Sequence, residues 1–439
     1  MSARDQWSVR QDPMQVAIRM SHNLIRPGIA GVVWALVELT SAAVKNEENP
    51  KRLPLNVGLV LDRSGSMTGK PLEYVKNAAA FVVEQVGAGD RFSLVTFDDQ
   101  VNVLCPAGHV TNKDYLKSLI GAIQPGGSTN LSGGFLRGCR EVLGEARPGR
   151  VNRVILLTDG QANVGITEPS VLSAKARSMA EKGISITSIG VGEDFNEDLL
   201  IAMSEAGRGN YYYIKNPDEI PGVFAEELQG LLKVVAQGIR VTVTGGPGCK
   251  VIGVLGYEPA MVPEGVTVDL PDMYENETKV LVLELAHPPF LPGDHEILRV
   301  GVDYSDSLGN LEAVSLGIGV TLPVGDGPAE LYKPNIEVIK VVELTRTALA
   351  KDKAVDAIDR DDFDEGRKVL EERLHALDQL QQAFGQPDPE ISREVKELKD
   401  LVARFTPSPA APCGDVVRES SIRKDLRYQS YQRRRRHRT

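Results

Sequence analysis

Cysteine is scarce. The four in 439 residues, at positions 105, 139, 249 and 413, lie far apart and form no C-x-x-C pair. That spacing excludes a disulfide framework and a thiolate zinc site. The first three read as buried thiols, and Cys413 as an exposed residue in a Pro-rich stretch. The six histidines show no ligand spacing either. No run approaches the ~18 apolar residues that a membrane-spanning helix needs. The longest candidate, 29–39, is too short and contains Glu38. The opening MSARDQWSVRQDP has no apolar stretch of the kind a secretory signal requires, which points to a cytoplasmic protein.

Several catalytic signatures are missing as well. There is no G-x-S-x-G elbow, no G-x-x-x-x-G-K-[ST] phosphate loop, and no G-x-G-x-x-G after a strand. Gly190-Val191-Gly192 is followed by two acids, which would repel phosphate. The expectation is a chain that is not an enzyme.

What is present begins with charge. The formal net charge is −10, yet 406–439 holds nine Lys+Arg against three Asp+Glu, a net of +6, so the rest carries −16. An acidic body with a basic end is a partner-binding pattern. Arg433, Arg434, Arg435 and Arg436 form its densest run. An acidic surface is their expected target, with nucleic acid or an anionic membrane as the alternative.

Hydrophobic periodicity divides the chain. Met14, Val16, Ile18 and Met20 alternate, and 32–39 gives a second strand. From 55, strands at 55–61, 91–97, 101–105, 151–158, 184–190 and 210–214 interleave with helices near 71–87, 112–123, 131–145, 169–182, 196–206 and 217–236. Such alternation dictates a mostly parallel sheet flanked by helices. Period-two patterns return at Ile239, Val241 and Val243, at Leu298, Val300 and Val302, and at Leu316, Ile318 and Val320. These strands and the N-terminal ones each need an apolar face to bury, so they are expected to join. Three amphipathic helical patterns follow 335.

The predicted fold is therefore α/β: a doubly wound, Rossmann-like, mostly parallel sheet (54–237) inserted into an antiparallel β-sandwich (1–53 and 238–328). A small helical bundle (329–405), a Pro-rich linker and a basic disordered tail (406–439) follow.

The chemistry concentrates in three segments. Asp62-Arg63-Ser64-Gly65-Ser66 follows the apolar run 55–61 and can aim three oxygens at one point. Gly126-Gly127-Ser128-Thr129-Asn130 presents a hydroxyl just before a helix. Thr158-Asp159-Gly160 ends a second apolar strand. In an open α/β sheet, ligands sit outside the carboxyl ends of the strands at a topological switch point. Oxygen clusters of this type suit hard divalent cations. Helix capping and turn closure are what the same residues would otherwise do. The pairs Asp98-Asp99 and Glu193-Asp194 read as solvated turn residues.

Order and spacing resemble the von Willebrand factor A domain with its metal-ion-dependent adhesion site, whose motif is D-x-S-x-S, a Thr in a Gly-rich loop, and an Asp before Gly. The resemblance covers roughly 54–237 and places that motif on Asp62, Ser64, Ser66, Thr129 and Asp159. It implies Mg²⁺, with Mn²⁺ or Ca²⁺ as substitutes, and a coordination position left open for a carboxylate of a partner protein. No small-molecule substrate is expected. The whole then reads as a cytoplasmic, bacterial adhesion, scaffold or assembly protein. Its alternatives are a metal-dependent hydrolase, for which Lys70 would be the nearest basic group, and a metal-independent scaffold with a nucleic-acid- or membrane-binding tail.

Overall fold

A computed structural model describes residues 6–42, 52–308, 311–405 and 416–435. Three sheets organise it. The first runs in the order Trp7–Gln11, Met14–Met20, Gly31–Ser41, Thr278–His287, Lys250–Val254, all antiparallel. The second runs Ala260–Val262, Gly265–Asp269, Val234–Gly245, Gly293–Asp306, Glu312–Val324, also antiparallel, with the short Met273–Tyr274 beside Val234–Gly245. Their inner faces share one core, which makes them a sandwich.

The strand Gly31–Ser41 shows why the N-terminal segment belongs there. It pairs with Thr278–His287 from Gly31 opposite His287 to Thr40 opposite Thr278. Its odd positions Val33, Ala35, Val37 and Leu39 face the second sheet. Its even positions Trp34 and Leu36 pack on Val338 and Val342 of the helix Ile336–Ile358. A strand covered on both faces loses the apolar–polar alternation of a half-exposed one, which accounts for the apolar run at 32–37.

Between these strands lies the inserted sheet, ordered Val101–Gly108, Arg91–Phe97, Leu55–Asp62, Val151–Thr158, Ile184–Val191, Tyr211–Ile214. All neighbours are parallel except Val101–Gly108, which returns antiparallel. Both faces are buried. Leu55, Val57, Leu59 and Leu61 pack under the helices Lys70–Gln85 and Ile220–Leu231, whereas Val60, Val154 and Leu156 pack under Leu131–Glu145. A β-carbon at Gly138 would lie 2.2 Å from Cγ2 of Val60, so only glycine lets this helix approach so closely. The helix Ile220–Leu231 passes within three residues into Val234–Gly245 of the sandwich. There Arg153 Nη2 meets Asp272 at 3.0 Å, a buried ion pair that joins the inserted sheet to the segment before Met273.

The helices Ile336–Ile358, Phe363–Phe384 and Pro389–Phe405 form an antiparallel bundle around Leu344, Val355, Leu370, Leu377, Leu380, Ile391 and Leu398. The reading of a disordered basic tail is corrected here: Val416–Arg435 is a fourth helix. Ile422 and Leu426 enter the bundle core, while Tyr431 enters the core of the inserted sheet. With so few apolar anchors the segment carries little hydrophobic period, and ion pairs supply much of the remaining contact. Arg433 bonds Glu390, Arg434 lies 3.5 Å from both Glu205 and Asp352, and Arg435 sits 2.9 Å from Glu205. These arginines meet acids of the chain's own body. Arg436, Cys413 and the Pro-rich stretch 406–412 fall outside the described residues. Among the described residues no helix is long and apolar enough to cross a membrane.

Candidate metal centre

Leu55–Asp62 lies between Arg91–Phe97, reached through Lys70–Gln85 on one face of the sheet, and Val151–Thr158, reached through Leu131–Glu145 on the other. This divergence opens a crevice at the carboxyl ends of the two central strands. Asp62 and Asp159 emerge into it. Asp62 is fully buried, accepts from the backbone N–H of Ser64 at 2.8 Å, and accepts from the hydroxyl of Thr158. Ser66 Oγ donates to Asp159 Oδ1 at 2.7 Å and lies 3.2 Å from Ser64 Oγ. Thr129 completes the cluster. A β-carbon at Gly160 would lie 3.0 Å from Thr129 Oγ1 and 3.7 Å from Ser66 Oγ, so both hydroxyls border the same point. Ser64, Thr129 and Asp159 are buried, and Ser66 is the exposed member at the mouth. All five residues singled out by the sequence pattern thus gather at one place.

Backbone contacts hold the three loops together. Gly65 N donates to Gly127 O at 2.9 Å, and Gly126 N donates to Arg63 O at 2.7 Å. The N–H of Thr129 donates to Asn163 Oδ1 at 2.9 Å, while Thr129 O accepts from the N–H groups of Asn163 and Val164. Asn130 caps the helix Leu131–Glu145 through the N–H of Gly133 at 2.9 Å.

Sequence reasoning missed Thr158, Asn163 and Asp98 as supports. Asp98 is a correction, because it is a buried brace and not a solvated turn residue. Its carboxylate pairs with Arg63 at 2.8 Å and accepts from Gln100 N, while its carbonyl accepts from Asn130 N at 2.7 Å. Its place at the carboxyl end of Arg91–Phe97, beside Leu55–Asp62, was the available signal. Asp99 beside it is exposed, and Asp194 is too.

The electrostatics are uncompensated. Burial pushes the Asp62 carboxyl above its ordinary range. Hydrogen bonds from Ser64 and Thr158 oppose the rise and the charge of Asp98 adds to it. Burial pushes Asp159 up to about 6, against the bond from Ser66 and with the charges of Asp62 and Asp194. Among the described residues neither carboxylate pairs with a Lys or Arg, and Arg63, the cation of this loop, is taken by Asp98. Two desolvated carboxylates facing three neutral hydroxyls are a donor set that fits a hard divalent cation. Among the described residues no group of three or more His, Cys, Asp or Glu comes together that could hold a metal ion; the donor set here rests on two carboxylates and three hydroxyls.

Comparison with known proteins places this geometry. Residues 56–226 match the von Willebrand factor type A domain. The inserted unit is an A domain. Members of this family generally bind protein partners, often through a metal ion. The uncharacterized protein sll0103 of Synechocystis is 28% identical over 310 residues, 68% of this chain and 72% of its own length. The uncharacterized protein YfbK of Escherichia coli is 26% identical over 213 residues, 48% of this chain but 36% of that longer protein. A solved von Willebrand factor type A protein from Catenulispora acidiphila superposes over 98% of this chain and 100% of its own, with TM-score 0.72 and 18% identity. The whole assembly of A domain, sandwich and helices is therefore a shared fold.

Proposed function

We propose that this chain binds a protein partner through a divalent metal ion, Mg²⁺ or in its place Mn²⁺ or Ca²⁺, held by Asp62, Ser64, Ser66, Thr129 and Asp159. The observation that carries the reading is the pair of buried carboxylates, Asp62 and Asp159, set among hydroxyls and, among the described residues, paired with no Lys or Arg. When bound, the ion supplies a Lewis-acid centre that accepts a carboxylate of the partner. Asp62 and Asp159 supply the charge. Ser64, Ser66 and Thr129 supply neutral oxygens, which leave the ion attractive to a further anion. Thr158 orients Asp62, while Asn163 and Asp98 hold the Thr129 loop against it. Exposure at Ser66 gives the partner its approach.

The reading assigns no hydrolytic step. Lys70, the nearest basic candidate on the motif side, is a solvated residue at the start of its helix. A pull-down with Mg²⁺ and with EDTA, repeated with Asp62→Ala, tests the proposal. Capture should need both the metal and Asp62. Metal-dependent turnover of a phosphoester or peptide, abolished by Asp62→Ala, would replace adhesion with catalysis.

A further inference from the structure

The pole of the A domain opposite the metal residues carries a second feature. Here the loops that enter the parallel strands face the sandwich across a cleft of about 480 Å³. Three successive loops each deliver basic side chains to it. Arg147 and Arg150 precede Val151–Thr158, Lys182 precedes Ile184–Val191, and Arg208 precedes Tyr211–Ile214. Four cations lining one opening are conspicuous in a chain of net charge −10.

Nearby carboxylates do not cancel them. Glu145, 3.6 Å from Arg150, is held more closely by Arg91 at 2.9 Å. Asp269, which meets Arg208, is shared with Arg240 at 2.8 Å. Asp272, the acid in the lining, is committed to the buried Arg153 at 3.0 Å. Each acid thus also serves an arginine outside the opening. Among the described residues Arg147 hydrogen-bonds to the carbonyls of Gly144 and Ala146, its charge being felt by the same Glu145, and Lys182 makes no ion pair. Arg208 holds a left-handed backbone, φ 52°, an unfavourable state for a side chain of this size. Surrounding contacts must maintain it. Its side chain lines the cleft and pairs with Asp269 on the sandwich.

We propose that this cleft binds a small anion carrying two or more phosphoryl groups. Spaced guanidinium and ammonium groups match several phosphate oxygens at once, with charge-assisted hydrogen bonds. The volume lies in the range of small-molecule sites. Leu143, Pro148 and Leu311 give the lining an apolar side that suits an organic portion of the ligand. The site is independent of the metal centre.

The test uses the full chain in EDTA, which silences the metal face, with inorganic pyrophosphate, ADP and sulfate as probes. Pyrophosphate should raise the melting temperature saturably, and calorimetry should give one site. Arg147→Gln combined with Lys182→Gln alters two exposed side chains and should weaken pyrophosphate at least about tenfold, the equivalent of one charge-assisted bond. Tighter binding of ADP than of pyrophosphate would assign the apolar side to a nucleoside, whereas equal binding would assign the site to the phosphates alone. Failure of pyrophosphate to stabilise the protein at millimolar concentration, equal binding by the double variant, or sulfate binding as well as pyrophosphate would each overturn the proposal.

Discussion

The backbone N–H of Tyr211 donates to the phenolic oxygen of Tyr431 at 2.9 Å, across 220 positions of sequence. Tyr211 opens the edge strand of the A-domain sheet. An edge strand presents unpaired N–H groups that invite another chain. Here the helix Val416–Arg435 covers that edge. Tyr428 and Tyr431 stand edge-on to Tyr211, while Lys424 Nζ donates to Phe195 O and to Glu197, both at 2.7 Å.

Tyr431→Phe should therefore leave a buried donor unmet and cost about 1–3 kcal/mol. Urea denaturation would measure it. Removal of residues 416–439 should do more, exposing the strand edge and producing aggregation visible by light scattering. A truncated chain that remains monomeric at wild-type stability would show that the helix is not an edge cover.

Mg²⁺ should raise the melting temperature, because only the folded state assembles the donor set. Asp159→Ala should abolish the rise and keep the fold, checked by calorimetry and circular dichroism. Equal stabilisation of the variant would place the ion elsewhere.

Gly126→Ala tests the scaffold of the site without touching a candidate ligand. The added carbon would lie 1.7 Å from Asp98 Oδ2, so the Thr129 loop or Asp98 must move. The expected cost is about 1–3 kcal/mol, together with a weaker Mg²⁺ response in the same thermal assay.

A pH effect should come from Asp90. Its carboxylate accepts from Arg52 at 2.8 and 2.9 Å, from Leu55 N at 2.8 Å and from Gly87 N at 2.7 Å. Burial alone would raise its pKa, but the bonds from Arg52, Leu55 and Gly87 together hold it below the ordinary value of 3.8. A depressed carboxylate contributes stability above its unfolded pKa and loses it as pH falls through the folded one. Asp90→Asn should thus cost about 1–3 kcal/mol at pH 7. The difference from wild type should shrink below pH ~4, as denaturation curves across pH would show.

Much of this architecture was legible because burial on both faces writes apolar runs, as in 55–61 and 154–157, and the oxygen donors follow closely upon them. The sandwich could be inferred because Met14, Val16, Ile18 and Met20 and the alternating strands after 238 each demanded a partner face. Asp98 was legible only in its place just past Arg91–Phe97, beside Leu55–Asp62; the residues around it do not distinguish a buried aspartate at a strand end from a solvated one. The final helix was not legible. Its fit depends on Glu197, Asp198, Glu205 and Asp352, acids hundreds or tens of residues away that only the fold assembles.

The insertion of the A domain also determines how the molecule bears tension. The domain is joined to the sandwich at both ends, through the chain before Leu55 and through Val234–Gly245, with Arg153–Asp272 as a third fastening between them. A pull applied at the Asp62 face is shared by two chain crossings. The receiving strand Val234–Gly245 lies in mid-sheet, hydrogen-bonded to Gly265–Asp269 on one side and Gly293–Asp306 on the other. To draw it out, both ladders must shear together, whereas a strand at a border peels one bond at a time. Tension on the Asp62 face should therefore meet an anchorage that is loaded in shear and not one that peels.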